Sequence, residues 1–195
     1  MPPLFNKQIP EIILGSASPR RKELLKKMGF SFTSHPVNID ESYPINIPAM
    51  EVAEYISKMK MLALFKVVNS DNKILLTADT TVCFENKIIG KPKNRDEAFS
   101  TLKTLSGKMH TVVSSCMIKF GEFEDVFSEK TIVYFNEISE KEITHYIDNH
   151  QPYDKAGSYG IQDWIGLVGI HKIDGSYNNV VGLPTDILYH KLINI

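Results

Sequence analysis

The stretch ILLTADTTVCFENKIIGKP, residues 74–92, decides how the rest of the chain is read. Ile74, Leu75 and Leu76 form an apolar run suited to a buried strand. The run leads directly into Asp79, Thr80 and Thr81 and on to Val82-Cys83-Phe84. Glu85-Asn86 is a two-residue break, and Lys87-Ile88-Ile89 returns, so the stretch predicts a β-hairpin. An acid inside an otherwise buried pattern is costly unless it is compensated, and a metal ion, a lysine or a substrate would each serve. The competing reading is an Asp at a strand end, bonded into its own turn. Gly90-Lys91-Pro92 then places a cation at the far end of the hairpin.

Upstream, Glu11-Ile12-Ile13-Leu14 predicts a short strand, after a loose lead-in over residues 1–10 that carries three prolines. Gly15-Ser16-Ala17-Ser18-Pro19-Arg20-Arg21 turns that strand into a helix. Ser18 suits the N-cap, and Pro19 suits the first helical position because its missing N–H would be unpaired there. Leu24, Leu25 and Met28 give the helix an apolar stripe, and Gly29 ends it. A helix N-terminus has free N–H groups and partial positive charge, which suits phosphate. Two arginines and two serines crowd that end. The plainer alternative is a capped surface helix with solvated arginines. A weakly alternating strand follows over residues 30–37, then an acidic loop at Asp40-Glu41. Residues 49–68 predict a long helix with Val52, Ile56, Met59 and Ala63 on its buried face and Lys60 reaching along the edge of the core toward an anion.

Downstream of the hairpin, Asn94 caps a helix from Arg95 to Leu105, ended by Ser106-Gly107. Residues 109–120 and 130–135 predict strands joined by the acidic turn GEFED. Ser139 and Glu142 form a capping box that opens a helix to about His150, where Pro152 breaks it. YDKAGSYGIQ, residues 153–162, reads as a glycine-bearing loop held near a ligand, with Gln162 able to read a base edge as both donor and acceptor. Its alternative is a surface turn with a solvated Asp-Lys pair. Residues 164–173 predict strand and turn, and a final helix passes through Leu188 and Leu192. Mixed strands and helices around one core predict an α/β fold and one domain over residues 1–195.

Composition narrows the function. The chain has 195 residues, 43% hydrophobic and 23% charged, with a formal charge of −1. That near-neutral balance argues against a broad nucleic-acid or anionic-membrane surface. No apolar run approaches the ~20 residues of a membrane span, and the N-terminal residues do not read as a signal peptide, so a cytoplasmic protein is expected. Cys83 and Cys116 lie in apolar strand-like runs and read as buried free thiols. The six histidines lack metal-ligand spacing, and His110 reads as structural. No P-loop, dinucleotide fingerprint or nucleophile elbow is present. What remains is a set of cations, Arg20, Arg21, Lys60, Lys91 and Lys155, and of acids, Glu41, Asp79 and Asp154, on separate loops. This mixture suits a polyphosphate with a bridging divalent metal.

Taken together, GSASPRRKELL, Asp40-Glu41, ADTTV, GKP, LSGKMH, DKAGSYGIQ and GSYNNVVGLP stand in the order seen in the Maf family, which the chain resembles from Ile12 to Leu192. The resemblance implies a fold like that of the inosine triphosphatases: a mixed sheet with flanking helices and two lobes around a nucleotide cleft. It implies hydrolysis of a nucleoside triphosphate to its monophosphate and pyrophosphate, with Mg²⁺ or Mn²⁺, and a homodimer. By the same resemblance Asp79 is the proton acceptor, and Glu41 with Asp79 lies at the metal. Ser16, Arg20, Arg21, Lys60 and Lys91 bind phosphate. Arg20, Thr80 and Gln162 resemble the branch acting on dTTP and UTP, and a Gln amide can pair with the O4/N3–H edge of a pyrimidine. The chain departs from the family at Asp163, where a glycine is usual, and at Ser57 and Met61, where alanines flank the helix lysine. The rival reading is a nucleotide-sensing regulator, linked to cell division, that binds without hydrolysis. The water-activating acid speaks against it.

Overall fold

The computed structural model describes residues 9–195, so residues 1–8 of the expected lead-in lie outside it. In chain order the elements are β1 (Ile12–Leu14), α1 (Pro19–Lys27), β2 (Phe32–Ser34), α2 (Val52–Phe65), β3 (Ile74–Phe84), β4 (Lys87–Ile89), α3 (Arg95–Leu105), β5 (Met109–Phe120), β6 (Phe123–Phe135), α4 (Glu140–His150), α5 (Trp164–Gly169), β7 (Ile170–Asp174), α6 (Tyr177–Val181) and α7 (Thr185–Ile193). The strands form one seven-stranded mixed sheet in the order β2-β1-β3-β5-β6-β7, with β4 also on β3. β1 pairs in parallel with β2 and β3, and the remaining pairs are antiparallel.

The expected hairpin is β3 and β4. Glu85 and Asn86 turn between them at φ of 49° and 59°, the left-handed pair that matches the twist of two adjoining strands. Side chains alternate across β3. Leu75 and Cys83 pack on the α2 side, and Thr77 and Asp79 bond to Ser57 and Lys60 of α2. On the opposite face Ile74, Leu76 and Ala78 pack with Leu24 and Leu25 of α1 and Leu188 and Leu192 of α7. Further along that face Val82 joins a second cluster with Leu102 of α3 and Ile143 and Ile147 of α4. Two apolar clusters thus share one sheet, one at each end of β3, in keeping with the two lobes expected. The caps fall where the sequence places them. Ser18, Asn94 and Ser139 each accept from the first turn of their helices, and Ser139 and Glu142 complete the capping box. Cys83 and Cys116 are free and buried. Among the described residues no helix is long and apolar enough to cross a membrane.

Three expectations are corrected. The buried face of α2 runs through Val52, Ala53, Ile56, Ser57, Lys60, Met61 and Leu64, while Met59 is 37% exposed and Ala63 only half-buried. The stripe shifts by one residue because Lys60 occupies a core position, which ion pairing permits and periodicity alone does not anticipate. The strand β6 begins at Phe123, so the turn after β5 is confined to residues 121 and 122, with Gly121 at φ 57°. Residues 164–169 are the helix α5 rather than strand and turn, and β7 starts only at Ile170. The two glycines that suggest a turn there instead permit close packing. A Cβ on Gly166 would stand 1.8 Å from the carbonyl oxygen of Ile161.

Candidate active site

The site lies where the sheet has a gap. One edge of β3 pairs with β5 from Leu75 to Cys83. The other edge pairs with β1 only at residues 74–76 and with β4 only at residues 82–84. Residues 77–81 therefore have an open edge. Ile74 N–H donates to Glu11, and the Leu76 carbonyl accepts from Gly15 N–H at 2.8 Å, so even-numbered residues aim their backbone groups at this side. By the alternation of a strand, Ala78 and Thr80 aim theirs into the gap. A cavity of about 590 Å³ opens there, within the usual size for a small-molecule site. Because the gap breaches the sheet, the cavity reaches Asp79 on the α2 face and Thr80 on the other.

On the α2 face, Lys60 Nζ lies 2.7 Å from Asp79 Oδ1 and 2.7 Å from Glu41 Oε1. The lysine is 9% exposed and Asp79 is also buried. Asp79 is thus compensated by a lysine, one of the three compensators its sequence allowed. Burial raises the Asp79 carboxyl above the usual range, against the opposing charges of Lys60 and Arg21. Burial also pushes Glu41 up, but its hydrogen bond and charge contact with Lys60, with Lys91 and Arg21 beyond, leave it below its ordinary value. Lys91 Nζ stands 3.8 Å from Glu41 Oε2 and is exposed at the cavity rim. Asp79 Oδ2 has no hydrogen-bond partner among the described residues and is not sealed off from the cavity.

On the other side, the turn after β1 and the start of α1 supply Ser16, Arg20 and Arg21. Arg21 donates through Nε to Gly182 O at 3.0 Å, through Nη1 to Ser16 Oγ at 3.2 Å and through Nη2 to Thr80 Oγ1 at 3.0 Å. Two of its five N–H groups remain for a ligand. Burial lowers the Arg21 guanidinium, Asp79 offsets part of this, and arginine stays charged throughout. Ser16 Oγ accepts from Arg21 and from Ser18 N–H at 3.2 Å, which leaves its proton to donate. Arg20 turns away to Asp154 Oδ2 at 2.8 Å, joining α1 to the segment 152–162.

That segment closes the cavity. Lys155 Nζ bonds Asp154 Oδ1 at 2.8 Å, and Gly157 N–H donates to Gly90 O at 3.2 Å, which ties the loop to the hairpin end. Burial would raise Asp154, but its bonds to Lys155 and Arg20 hold it below its ordinary value. Asp163, the departure from the family pattern, accepts from the Tyr146 hydroxyl at 2.8 Å, and that hydroxyl accepts from Gly160 N–H at 3.0 Å. Gln162 lies exposed at the rim, with its amide making no hydrogen bond among the described residues. Val82, Ile89, Val112, Tyr159 and Val181 add apolar wall. Every candidate residue read from the sequence lines this one cavity. Those not anticipated are Tyr159 and, behind the wall, Ser114 and Asn179. Ser114-Ser115 inside the apolar run of β5 was a signal of the same kind as Asp79.

For a divalent cation the donors at hand are the carboxylates of Glu41 and Asp79. No group of three or more metal-ligating side chains occurs among the described residues. Two carboxylates would suit a divalent cation, Mg²⁺ or Mn²⁺, that keeps several waters and completes its shell with substrate phosphate oxygens.

An α/β fold with a cleft that faces two spare guanidinium N–H groups, a serine hydroxyl and a lysine toward a paired set of acids offers the donors that a small polyanion would use. The chain belongs to the Maf-like protein family, whose sequence model matches residues 11–195. A protein of Flavobacterium psychrophilum named dTTP/UTP pyrophosphatase is 43% identical over 184 residues, covering 94% of each chain. One of the same name from Bacteroides thetaiotaomicron is 42% identical over 183 residues, 93% of this chain and 94% of that one. Among solved structures, the Ham1 protein of Staphylococcus aureus matches 64% of this chain and 71% of its own at 14% identity, with a TM-score of 0.44.

Proposed function

We propose that this chain, acting as one domain, hydrolyses dTTP and UTP to the monophosphate and pyrophosphate. The observation that carries the reading is Lys60 Nζ between Asp79 and Glu41, facing the unspent donors of Arg21 and Ser16 across one cavity. Asp79 Oδ2 takes a proton from a water. The water oxygen bonds to the α-phosphorus as the bond from that phosphorus to the α,β-bridging oxygen breaks, and pyrophosphate leaves. Burial suits Asp79 to this step, because a carboxylate raised toward the working pH is a better proton acceptor. Lys60 holds both carboxylates and has one proton left for a phosphate oxygen or the water. Arg21, Ser16 and Lys91 receive phosphate oxygens, and Arg20 joins them on exchange from Asp154. A divalent cation held by Glu41 and Asp79 would neutralise phosphate charge when bound. Gln162, with its free amide at the rim, reads the pyrimidine edge, and the names of the relatives support that substrate class. The reading includes a cytoplasmic homodimer.

Pyrophosphate release from a panel of nucleotides, with Mg²⁺, Mn²⁺ or EDTA, tests this with wild type and Asp79→Asn in parallel. Metal-dependent release favouring dTTP and UTP is expected, with kcat in the variant down by about 10²–10⁴, the usual worth of a positioned base. Undiminished turnover in Asp79→Asn would remove the acid from the mechanism. Triphosphate binding without any release would bring the sensor reading forward.

A further inference from the structure

The hydrogen bonds behind Arg21 have a direction. Ser114 is fully buried, and its hydroxyl carries one proton. The main-chain oxygen of Asn179, 2.8 Å from Ser114 Oγ, can only accept, so the Ser114 proton goes there. Ser114 Oγ then accepts from Thr80 Oγ1, also at 2.8 Å. With its own proton so placed, Thr80 accepts from Arg21 Nη2. The Gly182 carbonyl is a poorer alternative for the Thr80 proton, at 3.4 Å. The relay therefore runs one way, from Arg21 to Thr80 to Ser114 to Asn179.

Its far end is anchored. Asn179 is fully buried, and its amide oxygen accepts from Ser114 N–H at 3.1 Å. Its amide nitrogen donates to Val112 O at 3.2 Å and to Thr131 Oγ1 at 2.9 Å. Asn179 is thereby fastened to both β5 and β6. The same short helix α6 is capped by Gly182, whose carbonyl receives Arg21 Nε.

We propose that Thr80, Ser114 and Asn179 are positioning residues that fix the Arg21 guanidinium, so that its two unspent N–H groups are aimed before a phosphate arrives. Thr80 acts on the substrate through Arg21 rather than by its own hydroxyl, which is committed on both sides. An arginine held in advance loses little side-chain freedom on binding, and that is how a buried relay adds to affinity. The inference rests on the phosphate-binding reading of the cleft.

The test uses the full chain labelled with ¹⁵N-arginine and inorganic pyrophosphate as the probe. Hydrogen exchange at Arg21 Nε–H reports its order directly, and titration reports phosphate affinity. Ser114→Ala and Thr80→Val are each expected to speed exchange at Arg21 and to weaken pyrophosphate binding, both by about tenfold, with the double variant no worse than the poorer single one because the links act in series. A merely structural role would lower thermal stability without changing Arg21 exchange. Thr80→Val keeps the Ser114–Asn179 anchor and serves if Ser114→Ala does not fold. Unchanged Arg21 exchange in a folded variant, or losses that multiply in the double variant, would overturn the proposal. Should wild type release no pyrophosphate from any nucleotide, the function reading fails, yet the exchange measurement still decides the positioning.

Discussion

Lys60 places two carboxylates around one ammonium group in the wall of the cleft, and its position explains both a success and a failure of residue-level reasoning. The buried acid Asp79 announces itself because an acid inside an apolar run demands a partner. Which partner answers is settled only when α2 lies across β3, and the lysine then enters the core stripe that the apolar pattern had assigned to Met59. Ser158 shows a different residue-scale cost. It has φ 61°, follows Gly157 at φ 72°, and buries its hydroxyl without a partner among the described residues. A non-glycine residue in the left-handed region costs about 1–2 kcal/mol and an unpaired buried hydroxyl a further ~1 kcal/mol or more, against the ~0.5–1 kcal/mol that glycine loses in chain entropy. Ser158→Gly is therefore expected to stabilise the protein by about 1 kcal/mol. Urea unfolding checks this, and a midpoint at or below wild type would refute it.

At the scale of elements, the sheet is arranged so that β1 stops at Leu14 and β4 starts pairing only at residue 82, which leaves the middle of β3 open to ligand. The rim of that opening depends on α5. Gly166 stacks on the backbone of Ile161 so closely that an added Cβ would meet its carbonyl oxygen at 1.8 Å and carbonyl carbon at 2.5 Å. Neither atom belongs to a flexible side chain, so the helix would have to move. Gly166→Ala is expected to cost about 3 kcal/mol, the upper end for overpacking. Ile161 adjoins Gln162, so the same substitution is expected to raise KM for dTTP in the folded fraction. Differential scanning calorimetry with steady-state kinetics checks both, and a variant with wild-type Tm and KM would show that α5 does not set the rim.

Over the whole molecule, the pH dependence of stability has a contributor other than the acids. His110 is buried between Phe135 and Tyr159, bonded through Nε2 to the Tyr159 hydroxyl at 2.7 Å, with Nδ1 unpartnered among the described residues. Burial lowers it from 6.5 to about 4. As pH falls below 6.5 the unfolded chain takes up a proton that the native state refuses until about 4. The contribution is therefore fully present above pH 6.5 and lost on the way down to 4, in total about 3 kcal/mol. Urea unfolding between pH 7.5 and 4.5 should show that fall in wild type and a flatter profile in His110→Phe; parallel profiles would exclude His110 as the source. Much of the architecture was legible in local sequence: the hairpin at 74–92, the caps at Ser18, Asn94 and Ser139, and the free buried cysteines all follow from interactions within a few residues. Misread elements are those whose conformation is set from outside, such as α5, whose Gly169 packs on Ile138 and accepts through its carbonyl from Asn136 N–H, and the face of α2, set by the two carboxylates around Lys60. Motif order supplied the candidate site residues, since each stands in a recognisable local phrase. What only the tertiary structure decided is their geometry: Lys60 between Asp79 and Glu41, Arg20 on Asp154, and the relay from Arg21 through Ser114 to Asn179. Those contacts join residues 19 to 134 positions apart, and no local periodicity carries the direction of a hydrogen bond across the sheet.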